Sequence, residues 1–162
     1  MKSIYFSASL SGVKNVPTDF LKHIVESMKK EGYKVLSEHI VYGITEENFR
    51  VLSKNSGKNI PQREGYESDI RSTDINWVDQ ADYVVALVDS PSHGVGMELE
   101  RALLRPERGL RIVPILCLVQ NDNYPQLTPM IKGVRAPNFS IVQYADPADA
   151  IHTVIQFLNT HS

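Results

Sequence analysis

The sequence predicts a doubly wound α/β domain, a Rossmann- or flavodoxin-like sheet of about five parallel strands flanked by helices. Three observations carry that prediction. Short apolar runs alternate along the chain with segments of helical period, as in folds built from βαβ units. The clearest run, Tyr83-Val-Val-Ala-Leu-Val88, has no polar alternation, so both of its faces must be covered, as in a parallel sheet. And the 162 residues, 42% of them hydrophobic, suit one domain with one core, spanning 1–162 without an internal repeat.

The elements follow in order. Ile4 to Ala8 reads as a strand entering the small-residue stretch Ser7-Ala-Ser-Leu-Ser-Gly12. From Thr18, the residues Phe20, Leu21, Ile24, Val25 and Met28 recur at helical spacing. Thr18 or Asp19 is the expected cap and Gly32 the stop signal. Val35 to Ile40 reads as a second strand. Residues 42–65 are polar, carry Gly43, Gly57 and Pro61, and form a long excursion with one helical turn expected around Glu46–Leu52. Glu67 to Gln80 reads as a helix. Strand 83–88 leads through a loop to a helix ending near Pro106 to Gly109, then a strand at 112–119 and a short turn at Leu127–Lys132. A last strand, Phe139 to Tyr144, precedes a helix from Pro147 to Leu158.

Nothing in the net charge of -2 points to a nucleic-acid backbone or an anionic membrane as the main partner. No segment reaches membrane-spanning length and the N-terminus lacks a long apolar run, so a soluble, cytoplasmic protein is expected. The single cysteine, Cys117, excludes an intramolecular disulfide framework and is expected to be buried in its strand. Histidines 23, 39, 93, 152 and 161 show no ligand spacing, so neither a metal nor a cofactor is called for.

Ligands of open α/β sheets bind beyond the carboxyl ends of the strands, which directs attention to two segments. Ser7, Ala8, Ser9, Leu10, Ser11 and Gly12 offer small side chains, hydroxyls and backbone N–H groups to an anion. They match neither a Walker loop nor GxGxxG, and a plain strand-to-helix connection explains them equally well. In Asp89-Ser-Pro-Ser-His-Gly-Val-Gly-Met-Glu98, the glycines, Gly94 included, are expected to allow a tight turn and close ligand approach. Val95, Leu99, Ala102 and Leu103 form the stripe that should face the sheet, with Glu98 on its flank and Glu100 about 200° away from Glu98. A glutamate in the first helical turn is held ionised by the helix dipole, which suits a nucleophile, although acids at helix starts are also common for stability alone. Asp74 reads first as a solvated helix-face residue, Asp82 as a residue ordering a helix–strand junction, and Asp69 and Asp79 as surface charges. His39, at the end of strand two, can reach the sheet's edge.

The segments IYFSASLSG, LSEHI, STDINWVDQADYVVALVDSPSHGVGMELERA, ILCLV and LTPMIKG occur in the order seen in one family. The chain resembles the 2'-deoxynucleoside 5'-monophosphate N-glycosidases, a branch of the nucleoside 2-deoxyribosyltransferase superfamily, from residue 3 to about 144. The resemblance implies hydrolysis of the N-glycosidic bond of deoxynucleotides. It implies Glu98 as the catalytic glutamate, Asp74 at the sugar and reaction centre, and Tyr5 orienting the glutamate. It also implies phosphate contacts from Ala8 to Gly12 and from Ser92. A homodimer follows in which the neighbouring subunit completes the site through Thr128 to Met130. The family's loop often carries arginine where this chain has Ser11, and a glycine pair where it has Gly12-Val13, with Lys14 the nearest cation. Two other readings remain open at this point: a transferase passing deoxyribose to another base, and a non-catalytic nucleotide-binding module.

Overall fold

A computed structural model describes residues 1–9, 17–38 and 66–162, with Tyr66 by its backbone only. The elements are β1 (Ser3–Ala8), α1 (Phe20–Lys30), β2 (Lys34–Val35), α2 (Tyr66–Gln80), β3 (Tyr83–Leu87) and α3 (His93–Leu103). After them come β4 (Ile115–Gln120), a short α4 (Pro129–Lys132), β5 (Phe139–Tyr144) and α5 (Pro147–Thr160). The five strands form one sheet in the order β2-β1-β3-β4-β5, with every pairing parallel. The α/β architecture therefore agrees with the sequence.

Period-two alternation divides the core into two layers. Ile4 and Phe6 of β1, Tyr83, Val85 and Leu87 of β3, and Leu116 and Leu118 of β4 face one way. They pack with Phe20, Ile24, Val25 and Met28 of α1 and Val154 and Leu158 of α5. Tyr5, Val84, Ala86, Ile115, Cys117 and Val119 face the other way and pack with Val78 of α2 and Val95, Leu99 and Ala102 of α3. Cys117 is fully buried, and burial pushes its thiol up to about 12.

Several boundaries differ from the sequence expectation. β2 has two residues rather than running from Val35 towards Ile40. Beyond Leu36, a side chain replaces the ladder: the Ser37 hydroxyl accepts from Phe6 N (2.9 Å) and donates to Phe6 O (2.5 Å). Ile40, His39 and the 42–65 excursion lie outside the described residues, so the pairing near Ile40 is not described. β4 starts at Ile115 rather than at 112, because Pro114 has no N–H for the ladder and Ile112 is exposed. Asp19 takes the N-cap position of α1 without a side-chain cap hydrogen bond, its carboxylate lying 3.3 Å from His23 Nε2. Gly32 ends the turn after α1 with φ +86°, the left-handed region where glycine is favoured.

The C-terminal edge of the sheet is tied together by Asp89, the first loop residue after the β3 run. Its carboxylate accepts from Gln120 N (2.7 Å), Asn123 Nδ2 (2.8 Å) and the Tyr144 hydroxyl (2.6 Å). One side chain thus fixes the segment leading into α3 against β4 and β5. No helix among the described residues is long and apolar enough to cross a membrane.

Candidate active site

Strand β1 supplies two side chains to the α2–α3 face, Tyr5 and Ser7, both fully buried. They sit at the switch point of the sheet, where strand order reverses between β1 and β3 and open α/β folds place their ligands. Glu98 reaches this point from α3 and accepts a short hydrogen bond from the Ser7 hydroxyl. The Tyr5 hydroxyl stands close enough to favour charge on Glu98, although its contact falls short of a well-formed hydrogen bond. Tyr5 itself stays protonated, its phenol driven up by burial and then by the charges of Glu98 and Asp74. Asp74 closes the cluster from α2.

Glu98 is not in the first helical turn. Helix α3 begins at His93, with Ser92 as N-cap accepting from Val95 N (3.3 Å), and its first turn holds no acid. The local environment, rather than the helix dipole, therefore sets the charge of Glu98. Burial raises its pKa, while the Ser7 and Tyr5 hydroxyls pull it back. Asp74 is not the solvated helix-face residue that its position suggested. Burial, then repulsion from Glu98, pushes its carboxyl up to about 7. Two neighbouring carboxyls thus differ in their support: Glu98 has hydroxyl donors, whereas Asp74 has a negative neighbour. Asp74 is thus the carboxyl that keeps a proton into the neutral range, while the Ser7 and Tyr5 hydroxyls favour charge on Glu98.

The cleft outside this pair is a cavity of about 280 Å³ lined by Glu67, Ile70, Arg71, Asp74, Ile75, Gly94, Met97 and Glu98. Its α2 wall is a single helical face, since 67, 70, 71, 74 and 75 recur at three- and four-residue steps. Gly94, Met97 and Glu98 make the opposite wall in the same way. Both glycines of the GVG run lie within α3 and neither has positive φ, so the turn does not depend on them. At Gly94 the missing side chain leaves the cavity wall low. The residues that sequence reading missed, Glu67, Ile70, Arg71, Ile75 and Met97, were discoverable by stepping one helical turn from Asp74 and Glu98.

Other expected residues fall elsewhere. Ser7 and Ala8 belong to β1 rather than to the loop, and the Ser7 hydroxyl is engaged with Glu98. Ser9 is buried just beyond the strand, while Leu10, Ser11, Gly12 and His39 lie outside the described residues. Thr128 caps α4, accepting from Met130 N (3.3 Å), and Met130 is 82% exposed; neither lines the cavity. Asp82 does order its junction, accepting from Ser3 N (2.7 Å) and from Arg111 (2.5 Å). Asp79, expected as a plain surface charge, instead receives paired hydrogen bonds from both Arg101 and Arg108. Among the described residues no group of three or more His, Cys, Asp or Glu side chains is placed to hold a metal ion.

A parallel α/β sheet with two neighbouring carboxyls facing one cleft at its switch point has the layout of an enzyme site. No family model matches the chain. Individual proteins do. A Trichoplax adhaerens protein named as a 2'-deoxynucleoside 5'-phosphate N-hydrolase is 31% identical over 160 residues, covering 94% of this chain and 94% of that protein. The Rattus norvegicus 5-hydroxymethyl-dUMP N-hydrolase is 32% identical over 145 residues, 89% of this chain and 77% of that protein. The chain therefore belongs to the 2'-deoxynucleoside 5'-phosphate N-hydrolase family and is an N-glycosidase by class. The solved structure of a Clostridium botulinum CMP N-glycosidase shares the fold, with a TM-score of 0.60, 12% identity, and coverage of 96% of this chain and 99% of that one.

Proposed function

We propose that this protein hydrolyses 2'-deoxynucleoside 5'-monophosphates to free base and 2-deoxyribose 5-phosphate, with Glu98 as nucleophile and Asp74 as acid and base. The observation that carries the reading is the half-buried Glu98–Asp74 pair at the β1–β3 switch point, with Ser7 and Tyr5 favouring charge on the glutamate. As the C1'–N bond breaks, its electron pair leaves with the base and positive charge develops at C1'. An ionised carboxylate beside that carbon stabilises it and then bonds to it. Asp74, protonated near pH 7, gives its proton to the departing base. Its carboxylate then takes a proton from water, whose oxygen attacks C1' and releases Glu98, so configuration at C1' is retained.

The 5'-phosphate falls in this reading, as the family resemblance implies, to Ala8 to Gly12 and to Ser92, of which Ala8, Ser9 and Ser92 are among the described residues. Backbone N–H groups at a helix start favour an anion. Anchoring the phosphate there positions C1' against Glu98. The single domain acts in this reading as a cytoplasmic homodimer whose Thr128–Met130 segment completes the partner's site, a role supported by the exposure of Met130. Sedimentation of the protein with and without a deoxynucleotide tests that part, and a monomer under both conditions sinks it.

The central test is base release from deoxynucleoside monophosphates by the native protein and by Glu98→Ala. The variant is expected to lose activity about 10²- to 10³-fold, the scale of removing a principal charge-stabilising group, while keeping its melting temperature. Activity close to that of the native protein overturns the assignment. A second free base in the same assay gives an exchanged nucleotide only if the sugar passes to bases rather than to water.

A further inference from the structure

The α2 wall of the cavity carries a cation that the reaction scheme leaves unused. Arg71 stands three residues before Asp74 on the same helical face, about one turn towards the start of α2. It is exposed and lies four residues after Glu67, which also lines the cavity. Among the described residues Arg71 makes no hydrogen bond or ion pair, unlike Arg101, Arg105, Arg108, Arg111 and Arg135. The cavity's apolar lining comes from Ile70 and Ile75 on α2 and Met97 on α3. Such a slot suits the face of a planar base and has one donor group at its rim.

The position of Glu98 determines which part of a nucleotide meets this rim. On one side Glu98 is bonded to Ser7 of β1, and on the other it opens to the α2–α3 cavity. With the phosphate assigned to the β1 side, C1' lies at Glu98 and the base extends into the cavity. We propose that Arg71 is a specificity-determining residue whose guanidinium donates to the carbonyl oxygen of the departing base. That oxygen is at position 4 of an oxopyrimidine or position 6 of an oxopurine. The inference rests on the glycosidase reading above. Its chemistry is direct. The electron pair of the broken C1'–N bond enters the base, and conjugation carries part of that charge to the carbonyl oxygen. A guanidinium there stabilises the leaving group, and beside a purine it can span O6 and N7 as a two-pronged donor. A base with an amino group at the same position turns a donor towards Arg71 and loses the interaction.

The experiment measures kcat/KM for dGMP, dUMP, dAMP and dCMP with the native protein, Arg71→Gln and Arg71→Lys, and for deoxyguanosine without phosphate. Arg71→Gln is expected to lower kcat/KM about 10- to 100-fold for dGMP, dUMP and deoxyguanosine, and less than about threefold for dAMP and dCMP. Arg71→Lys should recover part of the loss on dUMP and less on dGMP, where one ammonium cannot reproduce the two-pronged contact. Equal losses on all four nucleotides that vanish for deoxyguanosine would assign Arg71 to the phosphate and overturn the proposal. No change on any substrate overturns it as well. Free uracil and cytosine binding, read by calorimetry, separates this claim from the reaction itself. If the native protein cleaves none of the substrates, the glycosidase reading fails. Weaker uracil binding by Arg71→Gln, with cytosine unaffected, still supports the contact, and unchanged uracil binding removes it.

Discussion

Helices α2 and α3 run side by side along one face of the sheet, and their two halves are held in opposite ways. In the half towards the C-terminal edge, Asp74 and Glu98 repel one another across a cavity. In the other half, Asp79 is gripped by Arg101 and Arg108, with contacts of 2.6 to 2.9 Å. Arg105, almost fully buried, donates to Ala81 O (2.9 Å) and Val78 O (3.4 Å), meeting the carbonyls at the end of α2. Asp74 and Asp79 are five residues apart on one helix, yet one pKa is raised to about 7 and the other is held well below the usual carboxylate range by its arginines. The pattern separates labour along a helix pair. Ion pairs fix the helix spacing at one end, so a like-charge pair can be held together at the other.

The larger test of that division is Asp79→Ala. It removes the shared acceptor of two guanidiniums, each about one third exposed, so solvent screening tempers the loss to about 1–3 kcal/mol. Denaturant unfolding against pH checks the cause. Asp79 has a depressed pKa in the folded state, so its stabilisation is present above the ordinary aspartate value and disappears as pH falls through and below it. The difference between native protein and variant should therefore be full at pH 7 and shrink steadily below about pH 4. A difference independent of pH would show that Asp79 acts through packing rather than charge. Because the clamp sets the distance between the helices, the variant should also lose part of its base-release activity.

Much of this was legible in the sequence because parallel strands and amphipathic helices write their burial into residue type. The unbroken run of β3, the bounds of β5 and the buried Val95–Leu99–Ala102 stripe all follow from hydrophobic period. So did the flank position of Glu98. What stayed hidden depends on contacts between elements distant in sequence. Nothing local tells that Ser37 stands in for a strand beside Phe6, or that Arg101 and Arg108 converge on Asp79. The partial burial of Asp74 is of the same kind: its own helix is of mixed polarity, and the packing of α2 against α3 and β1 is what withdraws the acid from water. The start of α3 is hidden in the sequence because two glycines look like a loop. Yet a helix entered through a Ser92 cap accommodates them, and one of them lines the cavity.

The smaller effect, and the sharper one, belongs to Asp74→Asn. An acid whose folded pKa is raised from 3.8 to about 7 makes the folded state bind more protons than the unfolded chain between those values. Stability contributed by this site therefore falls as pH rises from about 4 to about 7 and stays low above that. Asparagine keeps the shape without the charge. The variant should match the native protein at pH 4 and become more stable by about 1–2 kcal/mol at pH 8, a figure reduced for the solvent that still reaches the carboxyl. Its pH slope is opposite in origin to that of Asp79→Ala: one effect grows as a destabilising charge appears, the other fades as a stabilising charge is lost. Base release should fall in the same Asp74→Asn protein, so stability and activity move in opposite directions from a single substitution. If Asp74→Asn is instead destabilised at every pH, the aspartate is a structural anchor like Asp79, and the contrast between the two halves of the helix pair collapses.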